Sequence, residues 1–107
     1  MALSEQDFRL KSDQALEEAR RDLMSLADSD AGFELELQNG VLNLVFEEPS
    51  ETKFVVSPNA PVRQIWVSAM GKSYKLPWSP EQNAFAINDE TLPRLLDRLT
   101  RSFLGKR

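Results

Sequence analysis

Eight carboxylates dominate what this sequence could do chemically: Asp13, Glu17, Glu18, Asp22, Asp28, Asp30, Glu34 and Glu36. The chain has no histidine and no cysteine, so a metal site must rest on oxygen donors, which suit harder cations. On a helix, Glu18 and Asp22 stand one turn apart in one column. Like charges at that spacing repel by about 0.2–0.5 kcal/mol, and a cation between their oxygens relieves the repulsion. Asp13 and Glu17 form a second column, but Arg20 and Arg21 follow Glu17 by three and four residues and are placed to pair with it. Glu18 and Asp22 are therefore the less neutralised acids. Asp28, Asp30, Glu34 and Glu36 carry the anionic surface through a loop onto the first strand. With that strand at a sheet edge beside the helix, the acids form one patch. No spacing like that of a calcium-binding loop fixes a tight site. On the residues alone, a solvated helix face with edge charges that oppose aggregation is the favoured reading, and a weak cation site the second.

The same absences exclude other chemistry. Without histidine the commonest general base, the commonest metal ligand and the usual triads are gone, so a hydrolase or a conventional zinc enzyme is not expected. Without cysteine there is no disulfide framework, which fits a reducing compartment. The 107 residues make one domain, 1–107, large enough to bury a core unaided. No apolar run reaches the roughly 20 residues of a membrane span. The acidic stretch 1–9 lacks a signal core or an Arg-rich transit pattern, which predicts a cytoplasmic chain with no membrane contact. Residues 1–36 hold ten Asp or Glu against four Lys or Arg, and residues 89–107 hold three against five. A surface so anionic is a poor match for phosphates, and no nucleic acid is expected as a partner.

Two further features could carry binding. In the stretch Gln64, Ile65, Trp66, Val67, Ser68, alternation puts Ile65 and Val67 on one strand face and Gln64, Trp66 and Ser68 on the other. The branched aliphatics are the better core residues, which places Trp66 on the outer sheet face. There it is either a binding anchor or a ring packed over outer-face neighbours such as Val55. Arg94, Arg98 and Arg101 recur at helical spacing opposite a leucine stripe. That is most often a solvated face, and otherwise a dock for an acidic partner.

The elements that must position these residues follow from periodicity. Ser4 caps a helix over 5–27, whose apolar face is Phe8, Ser12, Leu16, Ala19, Leu23 and Leu26, and residues 28–32 end it. Strands are predicted at 33–38 and 41–46 about Asn39-Gly40, because a type I′ turn needs positive φ at both central residues. The two-residue loop sets Leu37 opposite Leu42, Leu35 opposite Leu44 and Phe33 opposite Phe46. A turn at 47–51, strands at 52–57 and 63–69, and a chain break at 58–61 follow. A short strand at 73–76, a loop bracketed by Pro77 and Pro80, and a strand at 84–87 come next. A second helix starts from a cap between Asp89 and Thr91, with Leu92, Leu95, Leu96, Leu99 and Phe103 as its stripe and Gly105 near its end. The fold class is α+β: an α-β(5–6)-α two-layer sandwich with both helices on one face of an antiparallel sheet.

These pieces together resemble the frataxin family. The stretch 39–44, Asn-Gly-Val-Leu-Asn-Leu, looks like the family's N-G-V-L-T-L hairpin, and 61–68, Pro-Val-Arg-Gln-Ile-Trp-Val-Ser, looks like its P-N-K-Q-I-W-L-S strand. Residues 53–56 resemble its tyrosine-and-valine strand, and Leu92, Leu95 and Leu96 match its L-x-x-L-L helix start. Order and spacing agree over roughly residues 5–104. The resemblance implies weak binding of Fe²⁺ and Fe³⁺ on an acidic ridge along the first helix and strand. It also implies contact with cysteine desulfurase and the iron–sulfur scaffold protein, and a monomer that iron can drive into oligomers. It makes Gln64, Trp66 and Ser68 the partner face. Arg20 and Arg21 stand where the family usually has acids, so the ridge here is thinner.

Three rival readings remain from the sequence. One is an interaction module of this fold that has lost the metal. Another is a small acidic secretion-chaperone-like protein, which would be an obligate dimer. The third is a ferroxidase, for which the residues offer no support, since the Glu-x-x-His pattern of di-iron carboxylate sites is impossible without histidine.

Overall fold

The computed structural model describes residues 3–28, 33–47 and 50–105. Helix α1 runs over Glu5–Leu26, capped by Ser4, whose side-chain oxygen accepts from the Asp7 amide at 3.1 Å. Its buried stripe is Phe8, Ser12, Leu16, Ala19 and Leu23, the face that the three-and-four spacing predicts. Strands β1 (Phe33–Gln38) and β2 (Val41–Phe46) pair in the expected register, Phe33 with Phe46 and Leu37 with Leu42. Asn39 and Gly40 take φ of 54° and 75°, as a type I′ turn demands.

The sheet continues through β3 (Thr52–Asn59), β4 (Gln64–Ala69), β5 (Lys72–Ser79), β6 (Ala84–Ile87) and β7 (Glu90–Thr91). All pairs are antiparallel and spatial order equals chain order. Helix α2 (Leu92–Leu104) closes the domain, ending on Gly105 at φ 77°. This is an α+β two-layer sandwich, and it differs from the sequence expectation in three places.

Strand β5 is longer than 73–76 and passes through Pro77, where a loop is expected. Pro77 pairs with Gln64, the first residue of β4, and β6 pairing begins only at Trp78. The missing N–H thus falls where the ladder already ends. Likewise β3 runs on through Pro58 to Asn59, past the expected break, before a 3₁₀ turn at Ala60–Val62. Arg63 belongs to that turn and not to β4. Its φ is 55°, and its guanidinium reaches back to the carbonyls of Leu3, at 3.2 Å, and Ala60. Strand β7, absent from the expectation, hangs on a turn at Asn88 and Asp89, both with positive φ, the conformation that Asn and Asp tolerate best after glycine.

The inner sheet face and the two helices enclose the core. Phe46 is its hub, with ring centroids 5.1 Å from Phe33, 4.7 Å from Phe54 and 4.8 Å from Phe103 of α2. Phe8 of α1 meets Phe85 of β6 edge-on at 5.6 Å. Helix α1 packs on β1, β2 and α2, and α2 packs on β6 and β7. Among the described residues, no helix is long and apolar enough to cross a membrane.

Candidate functional site

The outer sheet face is built by alternation. Ile65 and Val67 are buried beneath the helices, so Gln64, Trp66 and Ser68 turn outward, as branching at Cβ predicts. The Trp66 ring is half-buried. Its indole N–H donates to Gln64 Oε1 at 2.9 Å. Lys75 Nζ lies 5.0 Å from the ring centroid, because Trp66 stands directly opposite Lys75 in the β4–β5 register. Ser57 of β3 flanks the ring on its other side, and Ser68 is exposed two residues along. Trp66 thus stands on the outer face and is partly covered there, with Lys75 as a covering group.

Lys75 is the residue that sequence reasoning missed. The signal was present: a two-residue turn at Met70 and Gly71, with φ of 50° and 75°, fixes Ala69 opposite Lys72 and hence Trp66 opposite Lys75.

The acids divide over several surfaces. Asp13, Glu17 and Glu18 border one shallow groove with Gln14 and Arg21. Asp13 also borders a second groove against the Asn39-Gly40 turn. Glu17 is ion-paired with Arg20, whose Nε lies 3.2 Å from Glu17 Oε2. That hydrogen bond, aided by the charges of Arg20 and Arg21, holds the Glu17 carboxyl below the usual carboxylate range. Glu18 further borders a cleft of about 350 Å³ beside Thr91, Leu92 and Pro93 at the start of α2, and Asp22 borders a groove with Pro93, Arg94 and Asp97. Strand β1 is the sheet edge and contacts α1. Glu34 and Glu36 alternate with Phe33, Leu35 and Leu37, so they stand on the face turned away from α1. Asp28 is exposed past the end of α1, and Asp30 lies outside the described residues. Among the described residues, no three Asp or Glu side chains converge as a metal cage would require. Carboxylate oxygens are donors that suit hard cations, and among the described residues they form no closed cage.

The arginines of α2 are partly spoken for. Arg98 holds Glu90 with two nitrogens, at 2.6 and 2.9 Å, and Arg101 Nε sits 3.0 and 3.1 Å from the two Asp97 oxygens. This is the charge pattern of a solvated helix face.

A helix–meander–helix sandwich, with a tryptophan latched on its open sheet face and acids along its first helix, defines a small class of domains. The family model described as "Frataxin-like domain" matches residues 1–106, and the chain belongs to that family. The chain is similar to the iron–sulfur cluster assembly protein CyaY of Pseudomonas fluorescens (strain Pf0-1). The two are 28% identical over 107 residues, 98% of this chain and 93% of that protein. It is 32% identical over 75 residues to the protein of the same name from Pseudomonas syringae pv. syringae (strain B728a), a match that covers 66% of each chain. A Burkholderia mallei (strain SAVP1) protein of that name is 30% identical over 67 residues, 63% of this chain and 60% of its own.

Proposed function

We propose that this chain serves iron–sulfur cluster assembly, as a monomeric, cytoplasmic protein that donates iron to the process or regulates it. The family match across residues 1–106, with relatives named for that process, supports this reading most. In it, cysteine desulfurase and the scaffold protein are the partners, and the outer face around Gln64, Trp66 and Ser68 is a docking surface. Iron is cargo: Fe²⁺ or Fe³⁺ is held weakly by carboxylates of α1 and β1 and released, and no catalytic step is assigned to the chain. Clustered negative charge raises the local cation concentration and steers α1 toward a basic partner surface.

A second reading, an interaction module of the same fold without metal, is favoured by two observations: Glu17 is neutralised by Arg20, and the described acids do not converge. An anaerobic Fe²⁺ titration of labelled protein, followed by NMR, separates the two. Line broadening confined to 13–36, and lost in a Glu18→Lys/Asp22→Lys variant, supports iron handling. Absent or uniform broadening in both proteins leaves only the interaction module.

A further inference from the structure

A cleft of about 350 Å³ is walled by α1, the β5–β6 turn and the start of α2. Its size falls within the roughly 300–1,000 Å³ of small-molecule sites. The α1 wall is one stripe. Lys11, Gln14, Ala15 and Glu18 line it and stand at positions i, i+3, i+4 and i+7, a single helix face. Opposite charges therefore mark its two ends, separated by about 10 Å along the helix axis.

The Lys11 end is held in place. Lys11 Nζ lies 4.7 Å from the centroid of the Trp78 ring, and Trp78 meets the buried Phe85 edge-on at 5.2 Å. The ring face attracts the ammonium and fixes where it stands. That contact leaves N–H donors of the ammonium unused, and Lys11 makes no ion pair among the described residues. A half-buried cation without a counter-ion favours an anion beside it.

The Glu18 end has the other sign. Glu18 also makes no ion pair among the described residues. Thr91 borders the same cleft and supplies no side-chain cap to α2, so the first amides of that helix carry about half a positive charge. That is less than the full charge of the carboxylate, and the end stays negative. Between the ends, Gln14, Gln82 and Asn83 offer amide donors and acceptors.

We propose that this cleft binds a short peptide of about three residues, with its terminal carboxylate on the Lys11 ammonium and its terminal amino group toward Glu18. Length decides among zwitterions. A single amino acid holds both charges within one residue and cannot reach both ends, whereas three extended residues span about 10 Å. The amide side chains meet the peptide groups, and the Trp78 ring forms the floor at the carboxylate end. The inference depends neither on iron handling nor on docking at Trp66.

The test is an NMR titration of the labelled full chain with trialanine. The buffer holds a chelator, because Glu18 also belongs to the acids proposed above to hold iron. Trialanine should shift the Trp78 indole N–H with a Kd on the order of 1 mM and leave the Trp66 indole unmoved. Trialanine amide lacks the carboxylate and N-acetyl-trialanine lacks the ammonium, and each should bind roughly two- to fivefold more weakly. Alanine alone should bind more weakly than trialanine. Lys11→Met should bind trialanine and its amide equally, while Lys11→Arg keeps the preference for the carboxylate. Glu18→Gln should bind trialanine and its N-acetyl form equally. Wild-type shifts away from the cleft, the Trp66 indole included, show the variants folded. Absence of a Trp78 shift at trialanine concentrations well above that Kd overturns the site. Equal binding of the blocked and unblocked peptides to wild type overturns the zwitterion. Discrimination that survives in Lys11→Met or Glu18→Gln overturns the assignment of that end.

Discussion

Arg98 grips both carboxylate oxygens of Glu90, at 2.6 and 2.9 Å, across the junction between β7 and α2. The two residues are eight apart in sequence, and the bond ties a two-residue edge strand to the helix that follows it. The Arg98 hydrogen bond is the main cause that holds the Glu90 carboxyl below its ordinary value. A carboxyl depressed in the folded state stabilises the fold above its unfolded pKa, about 4.3, and loses that contribution as pH falls through the folded value. Glu90→Gln is therefore expected to cost about 0.5–1 kcal/mol at pH 7, since Arg98 is more than half exposed and the pair is screened. The difference from wild type should vanish on acidification below the folded pKa. Urea titrations of both proteins across that range check it.

Thr100 is buried, and its hydroxyl has no hydrogen-bond partner among the described residues. A buried hydroxyl left unpaired costs roughly 1–3 kcal/mol. Thr100→Val removes it at nearly the same shape. A gain of about 1 kcal/mol is expected, read as a higher urea midpoint with unchanged slope.

Phe46 is 1% exposed and touches three other rings, from β1, β3 and α2. Phe46→Ala is expected to lose about 3–5 kcal/mol, much of the stability of a domain this size. Phe103, partly buried at the far end of α2, should cost less when cut to Leu. Chemical denaturation ranks the two, and equal losses would show that Phe46 is not the hub.

Much of this architecture is legible in the residues, for reasons that differ from place to place. Asn39-Gly40 carries its own backbone geometry, so the register of β1 and β2 follows without tertiary information. The outward position of Trp66 follows from Ile65 and Val67 beside it. Pro77 misleads because a proline reads as a break, and only the ends of the neighbouring strands reveal that its N–H was not needed. Strand β7 is too short for alternation to register. The acids are the least legible part. Helical spacing places Glu18 and Asp22 in one column, but their shared outlook toward the start of α2 depends on where a helix some seventy residues later comes to rest. The cover on Trp66 is a more local case, since the turn at Met70 and Gly71 already aligns β5 with β4 and brings Lys75 opposite Trp66.

The order of the sheet has a bearing on how the chain is made. Each strand pairs with its neighbour in sequence, so the meander can grow hairpin by hairpin as a ribosome releases it. Its cover cannot keep pace. Phe46 and Phe54 are in place long before Phe103, the ring that caps them, leaves the exit tunnel. For that interval the growing polypeptide presents a nearly finished apolar floor with half its roof, while Glu34 and Glu36 arm the β1 rim of the nascent sheet with charge against strangers.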